Sequence, residues 1–485
     1  MLKRCFWPLL ALLWLISSGL DRLWLHLDQR LPAWDQADYL NSALDHGRAL
    51  GLIEGGSWQG WQALLDLSPK IPPLASLVNG SVISIAGDAP DQAAWALSLW
   101  FGLLLLAVAL WGRQLGGEAL GLMAALLCCL MPLMAELRVD FVLEIPVCAS
   151  CTWALWLLGR WLQPQLKTAS WWQALQAAVA VSAALLIKQS SLLVLLPALA
   201  WASVSALRQG RGRRLQLLAA FALVLALLQP WLQHNLITTL GGTQRATLES
   251  AAREGDPNAS SLAGWFWYPK RLPTLAGELP LVGGIVGLVV AAWRRYKAKK
   301  AWHLPNQQWC WLLGSMAAGA LLTVLSPNKD PRYLAPLMPL LAIVLARGWL
   351  ALPWPLLGLG IFAASGFSLN ARANAIERQG TPAEPLEAIV RYVQAKNPKS
   401  ARTLIVVPST GSFNQHNVSY FGRRAGAQLV GRQLGNNPAH IPAALASAEQ
   451  VLLGTGYQGA VGAEVEIFNQ AIRQSGIFKL QKSWP

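Results

Sequence analysis

The chain is a succession of apolar segments, each about 20 residues long, separated by polar stretches. A hydrocarbon layer of about 30 Å takes about 20 helical residues to cross. No water is available there to satisfy backbone N–H and C=O groups, so each such segment must be a helix or part of a closed barrel. The lengths fit helices. The first segment runs from Cys5 to about Leu27, the second over about 92–112 and the third over about 117–135. The fourth ends near Leu158, the fifth at Lys188, the sixth at Ala206, and the seventh covers about 215–233. The eighth ends at Arg294 and the ninth at Leu325, the tenth covers Tyr333–Ala346, and the eleventh about 351–369. Lys3 and Arg4 precede the first segment as they would in a signal peptide. It lacks a small-residue cleavage site and carries Asp21 and Arg22, so it reads as an uncleaved first span.

Basic residues cluster in alternate connections: the N-terminus, Arg113, Arg160 with Lys167, Arg208–Arg214, Arg294–Lys300 and Arg347. By the positive-inside rule those connections are cytoplasmic. About eleven spans then put the N-terminus inside and the C-terminus outside, in the cell (inner or plasma) membrane. Only 13% of the residues are charged, against about 25% in soluble domains. The net charge of +15 lies between apolar segments and not on one exposed face, which argues against nucleic acid as a partner. The 25 tryptophans suit a chain with many membrane–water boundaries. The six cysteines lie in or beside apolar runs without metal spacing, so they read as buried thiols; no disulfide, metal or cofactor is expected.

Two connections on the outer side are long, about 28–91 and about 234–279. After 370 the composition changes. Leu386–Gln394 has helical periodicity, Thr403–Val407 and Glu449–Leu453 read as strands, and Ile441–Ala448 as a helix. The expected division is a membrane domain over 1–370 and a small extracytoplasmic α/β domain over 371–485.

Chemistry-bearing residues gather on the outer side. The first outer connection opens with an amphipathic pattern that places Tyr39, Leu40, Ala43 and Leu44 on one face of a helix lying on the membrane surface. Asp35 and Asp38 sit near its start and suit general-base work on a substrate arriving from the membrane. As a purely structural alternative, Asp35 would be an N-cap. Further along, Lys70 precedes Pro72 and Pro73, which stiffen the chain behind it. The next outer connection offers Arg138, Asp140 and Glu144, the last at the edge of an apolar run, where an ionised group is costly. Lys188 lies where the fifth and sixth spans meet, and Lys329, Arg332 and Tyr333 head the tenth. Fixed cations at one membrane face suit a lipid-linked phosphate, and a carboxylate beside them suits deprotonation of an acceptor hydroxyl.

Trp34-Asp35-Gln36-Ala37-Asp38-Tyr39, followed by Lys70-Ile71-Pro72-Pro73-Leu74, resembles the first outer loop of the protein O-mannosyltransferase and aminoarabinose-transferase group. These are polytopic glycosyltransferases of the GT-C fold, whose loop reads Asp-Glu-x-x-Tyr and then Lys-Pro-Pro. Arg138–Pro146, Ile187-Lys188 and Arg332-Tyr333-Leu-Ala-Pro-Leu-Met-Pro339 resemble family landmarks in the same order. The resemblance covers about residues 1–350 and implies a polyprenyl-phosphate-linked sugar donor, a lipid, glycan or protein acceptor, and Asp35 as base. It also matches Tyr39 to the loop tyrosine and Lys70 to the lysine that contacts the lipid phosphate. Gln36 stands where many members have Glu, and Pro69 where some have a metal-binding Glu, so no obligate metal is expected. The competing expectations are a secondary transporter, or a ligase or polymerase of the O-antigen type. A transporter would hold its charges at the midplane, not at one face.

Overall fold

The computed structural model describes every residue except 1, 29, 52, 54–56, 69, 164–169, 299–305, 378–384, 397–401, 412, 427–428, 435–438, 440, 447, 460–461 and 485. Among the described residues six helices are long and apolar enough to cross a membrane: Lys3–Leu27, Pro90–Gly116, Gln189–Arg208, Arg211–Ala252, Glu278–Lys297 and Gln307–Leu325. The other expected spans also fall on helices, most of them shorter. Glu118–Leu130 stops where Met131 turns extended ahead of Pro132, as a residue before proline prefers. Glu144–Trp161 and Trp171–Leu185 have 18 and 15 residues. Met338–Trp349 follows a tight 3-10 turn, Pro331–Leu337, that carries Pro336. Trp354–Glu377 runs past the domain boundary expected at 370.

Two connections differ from the sequence reading. The helix that begins at Arg211 continues to Gln244 and, through a wide turn, to Glu254, where a span ending near 233 was expected. Pro230 lies within it, and the residues from Trp231 to Gln244 contain no further proline to end it. The first outer connection, expected to be polar, contains the apolar helix Leu74–Ala86, which starts directly after Pro72 and Pro73.

The expected surface helix spans Trp34–Leu50 and buries Ala37, Leu40, Ala43, Leu44 and Gly47 on one face. That face crosses Leu74–Ala86 backbone to backbone. A Cβ added at Gly47 would sit 2.6 Å from the Gly80 carbonyl oxygen, and one at Gly80 would sit 2.6 Å from the Gly47 nitrogen. Small residues permit such contact where apolar burial gives helices no preference over lipid. The crossing fixes the surface helix, and with it Asp35 and Asp38, over the membrane domain.

The C-terminal region holds a parallel three-stranded sheet in the order β2-β1-β3, with β1 Arg402–Val406, β2 Leu429–Arg432 and β3 Gln450–Leu452. Leu404 is in register with Gly431 on one side and Gln450 on the other. Ile405 and Val407 pack with Ile441, Leu445, Val465 and Phe468, whereas Leu404 and Val406 join the main core with Val418, Phe421 and Leu429. Both faces of β1 are therefore covered, which explains its unbroken apolar run. The helices Leu386–Lys396 and Ile441–Ala446 were expected; β2 and the helix Gln415–Arg424 were not. This last helix docks along the surface helix.

Candidate functional site

The surface helix is capped by Ala33, with no side chain completing the cap. Asp35 lies inside the helix, so its carboxylate is free of capping duty. It meets Arg332 instead: Arg332 Nη1 lies 2.9 Å from Asp35 Oδ2, although the residues are 297 positions apart. Arg332 also donates through Nε to Asp330 Oδ2 at 2.8 Å, while Asp330 Oδ1 accepts the Arg332 backbone N–H at 2.8 Å. Asp330 thus caps the turn Pro331–Leu337 and aims the guanidinium at the surface helix. Burial disfavours the charge on Arg332, but Asp330, Glu144 and Asp35 outweigh it and hold the guanidinium firmly protonated.

Lys188 and Glu144 form the second pair, with Nζ 2.5 Å from Oε1 and both side chains largely buried. Burial opposes the Lys188 charge, and Glu144 more than restores it. Among the described residues the second Glu144 oxygen, Oε2, has no hydrogen-bond partner. Tyr39 is buried between the two pairs. The Lys188 ammonium stands 6.0 Å from its ring centre, and burial pushes its phenol above the usual range. Tyr333, half-buried beside Arg332, lies within electrostatic reach of Lys188 and Glu144.

Lys70 completes the rim. Its carbonyl accepts from Gln189 Nε2 at 3.0 Å, and the Leu74 N–H donates to the Leu186 carbonyl at 3.0 Å. These two bonds tie the Lys70 segment to the Lys188 junction. Lys70 Nζ lies 4.0 Å from Asp38 Oδ2. Asp38 Oδ1 lies 3.1 Å from His416 Nδ1, on the helix Gln415–Arg424. Burial works against the Asp38 charge, but the hydrogen bond from His416 and the nearby cations keep its carboxyl below its ordinary range. Where Leu74 meets Leu186 opens an apolar cleft of about 200 Å³ lined by Trp58, Trp61, Pro73, Leu74, Leu186 and Trp231.

Asp140 stands on the same side. Burial and the neighbouring Glu136 push its carboxyl up to about 7, with Arg30 and Arg332 pulling the other way. Asp35, Tyr39, Glu144, Lys188, Arg332 and Tyr333 thus come together, with Asp38 and Lys70 at one edge and Asp140 at another.

Two expected site residues are engaged elsewhere. Arg138 is buried against Asp21 of the first helix, with Nε 2.8 Å and Nη2 3.2 Å from the two carboxylate oxygens, and its guanidinium covers Phe101 at 4.5 Å. Lys329 is buried too: its ammonium donates to the Val324 carbonyl, and its backbone N–H donates to Asp256 at 2.7 Å. A buried cation within an apolar bundle takes the nearest acceptor, and in both places an acceptor lies inside the fold. The sequence reading missed Asp330 and His416. Asp330 carried a signal, an acidic residue two positions before an expected phosphate-binding arginine. His416 lies far along the chain and carried none. Among the described residues no three His, Cys, Asp or Glu side chains gather as a metal ion would need.

Residues 70–234 match the family described as dolichyl-phosphate-mannose-protein mannosyltransferase. No curated protein sequence matches the chain. Among solved structures, ArnT from Cupriavidus metallidurans in the apo state superposes with a TM-score of 0.62 at 15% identity, over 89% of this chain and 85% of that one. ArnT bound to undecaprenyl phosphate gives 0.61 at 14% identity, over 98% and 88%. The archaeal oligosaccharyltransferase AglB from Archaeoglobus fulgidus, in complex with an inhibitory peptide and a dolichol-phosphate, gives 0.52 at 12% identity, over 89% and 64%.

Proposed function

We propose that this chain, which has the GT-C glycosyltransferase fold of the mannosyltransferase and aminoarabinose-transferase group, moves a sugar from a polyprenyl-phosphate-linked donor to an acceptor hydroxyl at the extracytoplasmic face. The observation that carries this reading is the convergence of Asp35, Glu144, Lys188 and Arg332, from four distant parts of the chain, beside a cleft walled by tryptophan and leucine. A lipid-linked sugar phosphate needs those two environments side by side. The apolar chain fills the cleft, and the phosphate meets Lys70, Lys188 and Arg332.

In this reading Asp35 takes the proton as the acceptor oxygen attacks the anomeric carbon. The bond from that carbon to the phosphate oxygen breaks, and its electron pair leaves with the lipid phosphate. The cations stabilise the charge that collects there. Arg332 is shared between Asp35 and Asp330, so drawing its Nη1 toward the phosphate frees Asp35 to act as base. Glu144 keeps Lys188 charged and in place. The C-terminal domain sits outside the membrane, over the site. Arg138 and Lys329 have no part in the step.

The test is binding of undecaprenyl phosphate to the purified full-length protein. The parent is expected to bind, and Lys70→Ala to bind about 10- to 100-fold more weakly, the loss of one charge-assisted contact. A parent that does not bind, or a Lys70→Ala variant that binds like the parent, refutes the assignment.

A further inference from the structure

Among the described residues the C-terminal domain meets the site through the side chain of His416. Asp38, Asn41 and Asp45 recur at helical spacing and form a polar stripe on the surface helix. The helix Gln415–Arg424 answers it residue by residue. His416 Nδ1 faces Asp38, Arg423 Nη1 donates to Asn41 Oδ1 at 2.5 Å, and Arg423 Nη2 lies 3.3 Å from Asp45. The backbone of His416 is fixed at both ends. Its N–H donates to Asn414 Oδ1 at 2.9 Å, and its carbonyl accepts from Asn41 Nδ2 at 2.9 Å. Next to it, Asn417 Nδ2 donates to the Pro32 carbonyl at 2.6 Å. The imidazole is thereby held against Asp38, and because a carboxylate only accepts, Nδ1 carries the hydrogen.

On the far side of Asp38 the geometry is open. Oδ2 is 4.0 Å from Lys70 Nζ, beyond the ~2.7–2.9 Å of an ammonium–carboxylate hydrogen bond. Among the described residues Lys70 Nζ makes no hydrogen bond, and its side chain is 70% exposed. Lys188 and Arg332, by contrast, are bound to Glu144, Asp35 and Asp330. His416 holds the other oxygen, Oδ1, and so sets where Oδ2 stands relative to Lys70.

We propose that His416 is a positioning residue: it anchors Asp38 through Oδ1, keeps that carboxylate from neutralising Lys70, and leaves the lysine free for a phosphate. The C-terminal domain then completes the phosphate site by docking. The proposal rests on the reading that Lys70 receives the donor phosphate, and its test separates the two.

Undecaprenyl phosphate is titrated into the full-length protein in detergent, read by tryptophan fluorescence, with a thermal melt for every variant. His416→Ala is expected to weaken binding by about 2- to 5-fold, because a Lys70–Asp38 ion pair at the surface now competes with the phosphate. His416→Asn is expected to restore binding, since its amide N–H sits where Nδ1 does. In an Asp38→Asn background His416→Ala is expected to change nothing, since no carboxylate remains to compete. Parental affinity in His416→Ala overturns the proposal. So does an equal loss in the Asp38→Asn background, which would mark a docking contact alone. If Lys70→Ala binds weakly while His416→Ala binds like the parent, only the role of His416 falls. If Lys70→Ala binds like the parent, the phosphate assignment falls and takes the proposal with it.

Discussion

Asp35→Asn removes one negative charge and one proton acceptor and disturbs little else. The Arg332 pair it breaks is short, at 2.9 Å, but its side chains are 51% and 34% exposed. Water screens such a pair, so its loss costs at most about 1 kcal/mol of stability. Arg332 keeps its 2.7 Å contact to Asp330, and the helix loses no cap because Ala33 occupies that position. The variant is therefore expected to fold and to bind undecaprenyl phosphate much as the parent does. Turnover is a different matter. General-base catalysis contributes about 100- to 10,000-fold, or about 3–5 kcal/mol of activation free energy. The assay follows release of polyprenyl phosphate from a polyprenyl-phosphate sugar in membranes that carry the native acceptors, alongside a melt and a binding titration. The expected result is near-parental melting and binding with turnover down by that factor. Asp38→Asn, which removes a group at the rim, is expected to lose less. Parental turnover in Asp35→Asn refutes the reasoning and moves the base to Glu144, whose Oε2 is unpartnered among the described residues, or to Asp140. A turnover loss that only follows the loss of folded protein refutes it as well.

Asp21→Asn is expected to destabilise the membrane domain by about 3–5 kcal/mol, because it leaves Arg138 charged and buried; a parental melt in detergent would contradict the buried pair. Asp140 supplies a pH test. Its carboxyl is pushed up to about 7, so from about pH 4 to 7 the folded protein retains a proton that the unfolded chain has released. The folded form therefore loses stability as pH rises across that window. Asp140→Asn is expected to flatten the melting temperature against pH there, and an unchanged slope would refute the shift.

How much of this was legible in the sequence depended on the range of the interaction. The surface helix was, because its apolar spacing is local and its acidic residues stand out in a basic chain. Six of the expected spans were, because hydropathy needs no partner. The C-terminal strands β1 and β3 were, since β1 is buried on both faces. β2 was not: it is four residues long and includes Gly431, which meets the backbone of Gln415. The helix Gln415–Arg424 was missed for a related reason, since its inner face pairs with Asp38, Asn41 and Asp45 through polar groups as well as apolar ones.

Partnerships were the least legible. Asp21 was visible as an interruption in the first apolar segment, and Arg138 as a basic residue just past the end of the third. Each is too costly to bury alone, so an acid within one span and a base at the edge of another already called for each other. That physical demand alone pairs Arg138 with Asp21 and leaves it out of the proposed phosphate site. The same demand does not choose among Lys70, Lys188 and Arg332, which all stand at one face with several carboxylates in reach. There the fold decides. The turn capped by Asp330 brings Arg332 to Asp35, the junction at Lys188 lies under Glu144, and the docked helix holds Asp38 off Lys70. Of the three cations, the one least committed within the fold is the one best placed to receive a ligand.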